Sequence, residues 1–219
     1  MWKDVGAAFL DLVAPRRCAG CELELLGGEL GWCEGCAVLL EDAGESHAPP
    51  APAASLYAYG GPLRDAIRRL KYGRRTELLG TLGPLLAGGV APYAGRVDVV
   101  VPVPLHPRRL RERGFDQAAL LAKPVAAALC LRFDPRRLRR VRHTRAQAGL
   151  DAGARVSNVR EAFVARDDAR RPRVLLVDDV RTTGATFTAC AEVLRRAGAT
   201  HVYTLSLARA VAASSGPGP

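Results

Sequence analysis

The sequence predicts an α/β fold built on a parallel sheet, and three stretches carry that expectation. Val97–Leu105 ("VDVVVPVPL"), Arg173–Asp179 ("RVLLVDD") and His201–Ala208 ("HVYTLSLA") are rich in β-branched and aliphatic residues. Apolar runs of this kind, as opposed to strict alternation, belong to strands covered on both faces. Helical patterns separate them, and alternating strand and helix implies parallel strands joined by right-handed crossovers. There is no internal repeat.

The 219 residues are enough for one sizeable core and a small appendage. At the start, Trp2, Val5, Phe9 and Leu12 recur at helical spacing and predict a short amphipathic helix. Asp4 and Asp11 interrupt that stretch, which argues against a secretory signal. No apolar run reaches the roughly 18 residues of a membrane span, so no membrane insertion is expected and the location expected is cytoplasmic. Residues 1–40 hold four of the six cysteines, and Glu41–Ser55 ("EDAGESHAPPAPAAS") reads as a Pro- and Ala-rich linker. The body follows as residues 56–211, with a disordered tail expected over 212–219.

Within the body, Leu63, Ile67 and Leu70 share one helical face while Arg64, Arg68 and Lys71 lie elsewhere. A glycine-punctuated apolar helix is expected over Glu77–Leu86. Phe115–Cys130 reads as helix, with Pro124 marking a start or kink. Thr186–Ala199 is the next helix, closed by Gly198 as its C-cap. Cys130 and Cys190 fall on apolar helix faces and are expected to be buried packing residues.

The net charge of +10 is unevenly spread. Residues 1–55 hold three basic and nine acidic residues, so the remaining 29 basic and 13 acidic residues leave the rest of the chain at +16. A basic body suits phosphate-bearing ligands or nucleic acid. An arginine-rich composition with no partner behind it is the plainer alternative. At 5% aromatic residues the chain offers few platforms for stacking bases.

Asp178 and Asp179 end an apolar run in "VLLVDDVRTTGAT". Burying carboxylates inside a strand is costly, so the pair is expected at the strand's exit. Ligands of parallel sheets bind at such ends. Val180, Thr182, Thr183, Gly184, Ala185 and Thr186 then open a helix, where backbone N–H groups and the helix's positive end favour an anion. Threonine hydroxyls add donors, and glycine lets the backbone approach closely. The ionised aspartates only accept hydrogen bonds, so they suit the vicinal hydroxyls of a sugar whose phosphate fills the cradle. Solvated acids before an ordinary threonine N-cap are the bland alternative. Neither G-x-x-x-x-G-K-S/T nor G-x-G-x-x-G is present. A second strand exit carries Arg108, Arg109, Arg111 and Arg113, whose forked donors suit a diphosphate, or else form a solvated basic loop. His106 is placed to cap that turn.

Cys18-x-x-Cys21 and Cys33-x-x-Cys36 form two knuckles. Four thiolates suit a closed tetrahedral Zn²⁺ site, although the interval between the knuckles is short for a zinc ribbon. Disulfides are the alternative, disfavoured in a cytoplasmic setting.

Taken together, "CAGC…CEGC", "LKYGRR", "VPVPLHPRRLRERGFDQA", "RAQAGLDAGARVSNVREAF" and "VLLVDDVRTTGAT" resemble the ComF family (competence protein F, GntX-like proteins), in family order over almost the whole chain. The last segment is similar to the phosphoribosyl pyrophosphate (PRPP) motif of type I phosphoribosyltransferases. Asp116 stands where the family often has Asn. The resemblance implies a parallel-sheet type I phosphoribosyltransferase fold with a small N-terminal zinc ribbon and a helical insert. It implies PRPP held by Asp178, Asp179, the Val180–Thr186 loop, Arg113 and Gly114, with Mg²⁺ accompanying it. Arg142–Phe163 corresponds to a substrate-covering loop whose Arg145, Gln147, Arg155 and Asn158 are polar contacts. Arg145 and Arg155 join the two aspartates as the catalytic set if pyrophosphate is displaced from ribose C1. Membership also implies a part in competence-related DNA uptake, with single-stranded DNA and a competence helicase as partners. An active phosphoribosyltransferase with an unidentified base or amine acceptor, and a nucleotide-sensing regulator, are the competing functions.

Overall fold

The structure, a computed structural model, describes residues 16–25, 29–44, 53–142 and 162–210. The helix expected over Trp2–Leu12, the residues Arg145, Gln147, Arg155 and Asn158, and the tail lie outside the described residues. The chain divides into two compact units, residues 1–41 with 60–81, and residues 42–59 with 82–219.

In the first unit, the short helix α1 (Glu34–Ala37) is N-capped by Cys33 and contains Cys36. Helix α2 (Gly61–Gly73) carries Pro62 in its first turn, where a missing N–H costs nothing. It buries Leu63, Ala66, Ile67 and Leu70, the face expected from their spacing. Sequence reading placed this helix in the body, but a side chain ties it to the cysteine segment. Arg69 NH2 donates to the carbonyls of Ala19 and Gly20, and its NH1 lies 3.2 Å from Glu22.

The second unit contains β1 (Ala53–Ala58), β2 (Val99–Pro102), β3 (Arg132–Phe133), β6 (Arg173–Arg181) and β7 (His201–Arg209), all parallel in the order β1-β7-β6-β2-β3. A hairpin of β4 (Leu138–Arg140) and β5 (Phe163–Ala165) is separate and antiparallel. β1 starts inside the stretch read as linker, because Ala53–Ser55 pair with Thr204–Ser206 of β7. β2 is shorter than Val97–Leu105: Val103 N still donates to Val177 O at 2.8 Å, but Pro104 has no N–H with which to extend the ladder.

Helix α3 (Leu79–Ala87) follows a 3₁₀ turn at Thr76–Leu78. Its Gly83 is needed for close packing, since a Cβ there would lie 3.0 Å from Pro124 Cγ. Pro124 sits inside helix α5 (Gln117–Ala128), which continues past it. Cys130 corrects an expectation: it lies beyond the end of α5 with φ 53°, and is exposed. Cys190 is fully buried in helix α6 (Ala185–Arg196), as expected. Gly198 closes α6 with φ 97°, its N–H donating to Arg195 O.

The two crossover helices cover opposite faces of the sheet. α6 packs with Val174, Leu176, Val99 and Val101 in one apolar cluster. Alternation leaves Val100, Leu175 and Val177 for the other face, where α5 contacts β2 and β6. β2 leads through α5 to its neighbour β3, and β6 leads through α6 to its neighbour β7 on the other side. The connections therefore diverge between β2 and β6, which makes this the topological switch point of the sheet.

Candidate functional site

The two sequence-predicted clusters leave adjacent strands at that switch point. The β6 exit carries Asp178 and Asp179, and β6 itself runs on through Arg181. The strand thus runs two residues past the Arg173–Asp179 stretch expected from sequence. Asp178 and Val180 remain in register with Ser206 and Ala208 of β7, and Asp179 is only 3% exposed. The cost of burying carboxylates is offset locally. Asp179 N–H donates to Asp178 Oδ1 at 2.8 Å, and Val180 N–H donates to Asp179 Oδ1 at 2.8 Å.

Strand alternation sends the two acids to opposite faces. Asp178 follows Val174 and Leu176 onto the α6 side. There burial pushes the Cys190 thiol up, and the Asp178 charge pushes it further. Arg140 lies on the same side, its guanidinium 5.3 Å from the Phe163 ring centroid. Burial lowers its pKa, Arg109 lowers it further, and Asp178 pulls the other way. Asp179 faces α5, whose N-cap is Asp116. Burial raises the Asp116 carboxyl against the backbone donors around it, and the Asp179 charge adds to the rise.

Beyond Arg181 the chain turns through Thr182, Thr183 and Gly184 into α6. Gly184 is the N-cap, at φ 79°, a conformation that glycine adopts without steric cost. A Cβ added there would meet no protein atom within 4 Å, so the backbone faces open space. Thr182 and Thr183 are exposed, while Val180, Ala185 and Thr186 are half-buried. The first N–H groups of a helix have no intrahelical acceptor. The loop thus offers an anion a set of donors directly after the strand that carries Asp178.

The basic turn after β2 is a helix, α4 (Pro107–Arg113). Its sequence favours one: Pro107 fills the first turn, and His106 Nδ1 accepts from Arg108 N at 3.1 Å, so His106 is the expected cap. Arg108 Nε reaches Glu112 at 2.9 Å, four residues on. Gly114 ends the helix at φ 84°. Arg109 and Arg111 are exposed, and Arg113 is half-buried. Asp116, a minor departure from the family pattern, ties the segment after β2 to the start of α5. Its Oδ1 accepts from Ala119 N at 3.1 Å and caps α5, and its Oδ2 accepts from Leu105 N at 3.3 Å. Gln117 beside it is buried, and its Oε1 has no hydrogen-bond partner among the described residues.

In the first unit the four cysteines meet. The sulfurs of Cys18, Cys21, Cys33 and Cys36 all lie within 4.8 Å of one another, and none forms a disulfide. Cys21 and Cys33 sulfurs are 3.6 Å apart, close to the edge of a tetrahedron with bonds of about 2.3 Å to a metal. Gly20 N and Cys33 N donate to Cys18 Sγ at 3.4 and 3.3 Å, as groups around a metal thiolate do. Burial alone would raise the Cys18 thiol, but the N–H groups of Cys21, Cys33 and Gly20 together bring it down to about 6. Gly20 admits no side chain: a Cβ would lie 2.6 Å from Pro62 Cβ and 2.8 Å from Cys36 Sγ. The cluster can hold one metal ion.

Fold and site define a class: an α/β protein with a parallel sheet, an acid pair and a glycine-capped helix start at the switch point, and a four-cysteine cluster in a separate unit. The chain belongs to the ComF family. It is 33% identical over 225 residues to the DNA utilization protein YhgH of Escherichia coli, covering 90% of this chain and 99% of that protein. Competence protein F of Haemophilus influenzae is 35% identical over 161 residues, 69% of this chain and 70% of that one. Competence protein ComFC of Streptococcus pneumoniae is 27% identical, over 88% of this chain and 75% of the relative. No family model matches the chain. Among solved structures, adenine phosphoribosyltransferase of Saccharomyces cerevisiae is similar with a TM-score of 0.40 at 16% identity, over 64% of this chain and 72% of that one. That of Trypanosoma brucei is similar with a TM-score of 0.39 at 13% identity, over 77% and 88%. Among the described residues no helix is long and apolar enough to cross a membrane.

Proposed function

We propose that this ComF-type protein binds PRPP with Mg²⁺ at the β6 exit and serves competence-related DNA uptake. The supporting observation is the coincidence, at one switch point, of Asp178 and Asp179 with the open-faced loop of Thr182–Thr186. In this reading the loop N–H groups and threonine hydroxyls hold the 5′-phosphate, and the carboxylates accept from the ribose hydroxyls. Arg113 and Gly114 lie at the neighbouring exit, where the diphosphate belongs. Mg²⁺ prefers oxygen ligands and keeps several waters, which suits Asp178 and the ribose hydroxyls, and when bound it neutralises diphosphate charge. Arg145 and Arg155 complete the set from the segment between β4 and β5.

The same reading assigns Zn²⁺ to Cys18, Cys21, Cys33 and Cys36 as a structural ion, since four thiolates leave no open position. The +16 body attracts the backbone of single-stranded DNA, with a competence helicase as the protein partner. Titration of the full-length chain with PRPP, with and without Mg²⁺, tests the ligand. Saturable, Mg²⁺-strengthened binding is expected, and no binding in either condition would refute it. Pyrophosphate release with candidate bases or amines distinguishes an active transferase from a binding protein.

A further inference from the structure

The first pair of cysteines is held from outside by a side chain of α2. Ala19 and Gly20 stand between Cys18 and Cys21, and the carbonyl of each accepts from Arg69 NH2. Ala19 O and the Gly20 N–H belong to one peptide plane, and across a trans peptide they point opposite ways. The Gly20 N–H donates to Cys18 Sγ at 3.4 Å. By fixing the Ala19 carbonyl on one side of that plane, Arg69 aims the amide on the other side at a sulfur. Hydrogen bonds joined through one peptide in this way also polarise one another.

Charge adds a second link. Arg69 NH1 lies 3.2 Å from Glu22 Oε2, and Arg75 NH1 lies 2.6 Å from Glu22 Oε1, so one carboxylate serves two guanidinium groups. The Arg69 side chain is the more withdrawn of the two, 23% exposed against 39%. Its buried Nε has no hydrogen-bond partner among the described residues. Holding a cation partly out of water is costly unless negative charge accompanies it. Four thiolates around a divalent ion carry a net negative charge, which adds to what Glu22 supplies and which four protonated thiols do not offer.

We propose that Arg69 is a positioning residue of the metal centre, which sets the affinity of the four-cysteine cluster for its ion and ties the order of α2 to metal occupancy. By linkage, contacts that favour the bound metal are favoured by it to the same degree. The proposal rests on the reading of the cluster as a metal site.

The test uses the full-length chain with Zn²⁺ and Co²⁺ as probes, in competition with a chromophoric chelator. Arg69→Gln is expected to lose at least tenfold in affinity for either ion, the scale on which partners of metal ligands act. Arg69→Lys keeps the charge but not the fork and should fall between the two. Arg64→Gln is the control: Arg64 is exposed and pairs with Asp65 at 3.2 Å, so wild-type affinity is expected. In Co²⁺-loaded Arg69→Gln the d–d bands should stay tetrahedral, while the sulfur-to-cobalt charge-transfer band shifts as the bond from Gly20 N–H to Cys18 weakens. A residue that served stability alone would leave that band in place. Stripping the metal from wild type should speed amide exchange across residues 61–73, and the same step should change exchange less in Arg69→Gln. Wild-type affinity with an unshifted band in Arg69→Gln, or α2 exchange indifferent to metal in wild type, would overturn the role of Arg69 and leave the metal site standing. Failure of wild type to bind either ion would sink the metal reading and this proposal with it.

Discussion

The Asp179 N–H donates to Asp178 Oδ1 at 2.8 Å, although the two side chains leave the strand on opposite faces. Each carboxylate in the pair is held by the backbone amide that follows it, since Val180 N–H donates to Asp179 Oδ1 in the same way. An Asn side chain retains an accepting oxygen at either place. Asp178→Asn and Asp179→Asn should therefore fold, and each should weaken PRPP–Mg²⁺ binding. The loss of a charge-assisted hydrogen bond costs about 1.5–3 kcal/mol, roughly tenfold or more in affinity. Calorimetry on the folded double variant decides the matter; wild-type affinity would leave the acids no part in binding.

Because Asp179 faces the α5 N-cap, its charge should be legible at Asp116. Part of the upward shift at Asp116 comes from Asp179, so Asp179→Asn should bring the Asp116 carboxyl pKa down. Asp178→Asn, on the other face, should change it less. Carbon-detected NMR titration of the Asp116 carboxyl measures both.

The cysteine cluster should carry one Zn²⁺ per freshly purified chain, measured by elemental analysis. Binding should be coupled to folding of the first unit. Gly20→Ala should lower metal content, because its Cβ would meet both Pro62 and a ligand sulfur. Absence of metal in protein with all four thiols free would remove the zinc assignment.

Acid should loosen the β4–β5 hairpin. Arg137, 3% exposed, donates from NH2 to Asp168 Oδ2 and lies 3.4 Å from Asp134 Oδ2. The hydrogen bond from Arg137 is the main reason the Asp168 carboxyl sits below its usual value. A depressed folded pKa contributes stability that is present above the unfolded pKa, about 3.9, and is lost as pH falls through the folded value. Arg137→Gln should remove that part of the acid dependence. Denaturant midpoints measured from neutral into strongly acidic buffer should then fall less steeply in the variant than in wild type.

Gly184 and Gly198 offer a comparison of causes. Gly184→Ala meets no protein atom, so only the left-handed backbone is charged against it, about 1–2 kcal/mol. Gly198→Ala adds a Cβ 2.9 Å from Asp168 O to a similar backbone penalty and should be the more destabilising. Thermal melts rank them, and an equal effect would show that the close approach at Gly198 relaxes freely.

Single-stranded DNA binding, if it runs through phosphates, should weaken steeply with salt and depend little on sequence. Exposed Arg109 and Arg111 are suited to contribute. Charge reversal at both should flatten the salt slope, by about 0.7 for every phosphate that is no longer neutralised. An absence of binding at low salt would leave the basic body without this partner.

Local patterns were enough to read β2, β6 and β7, the crossover helices, the loop that opens α6 and the cysteine quartet, but not β1, β3 or the β4–β5 hairpin. Residue type and spacing fix these features within a few residues: a buried strand needs a run of Val and Leu, and a left-handed N-cap needs Gly184. Family likeness was also written locally, in "VLLVDDVRTTGAT" and "RERGFDQA". Only the tertiary structure decided that Asp178 and Asp179 serve different faces, because that depends on which helix covers each side. It decided that Asp116 ties the β2 exit to the start of α5, that α2 is bound to the knuckle through Arg69, and that Arg181 falls in register with Arg209. These are matters of register and long-range partnership between polar groups. A linear pattern shows that a polar group exists, but the energy of burying it is set by the chain segments that fold against it.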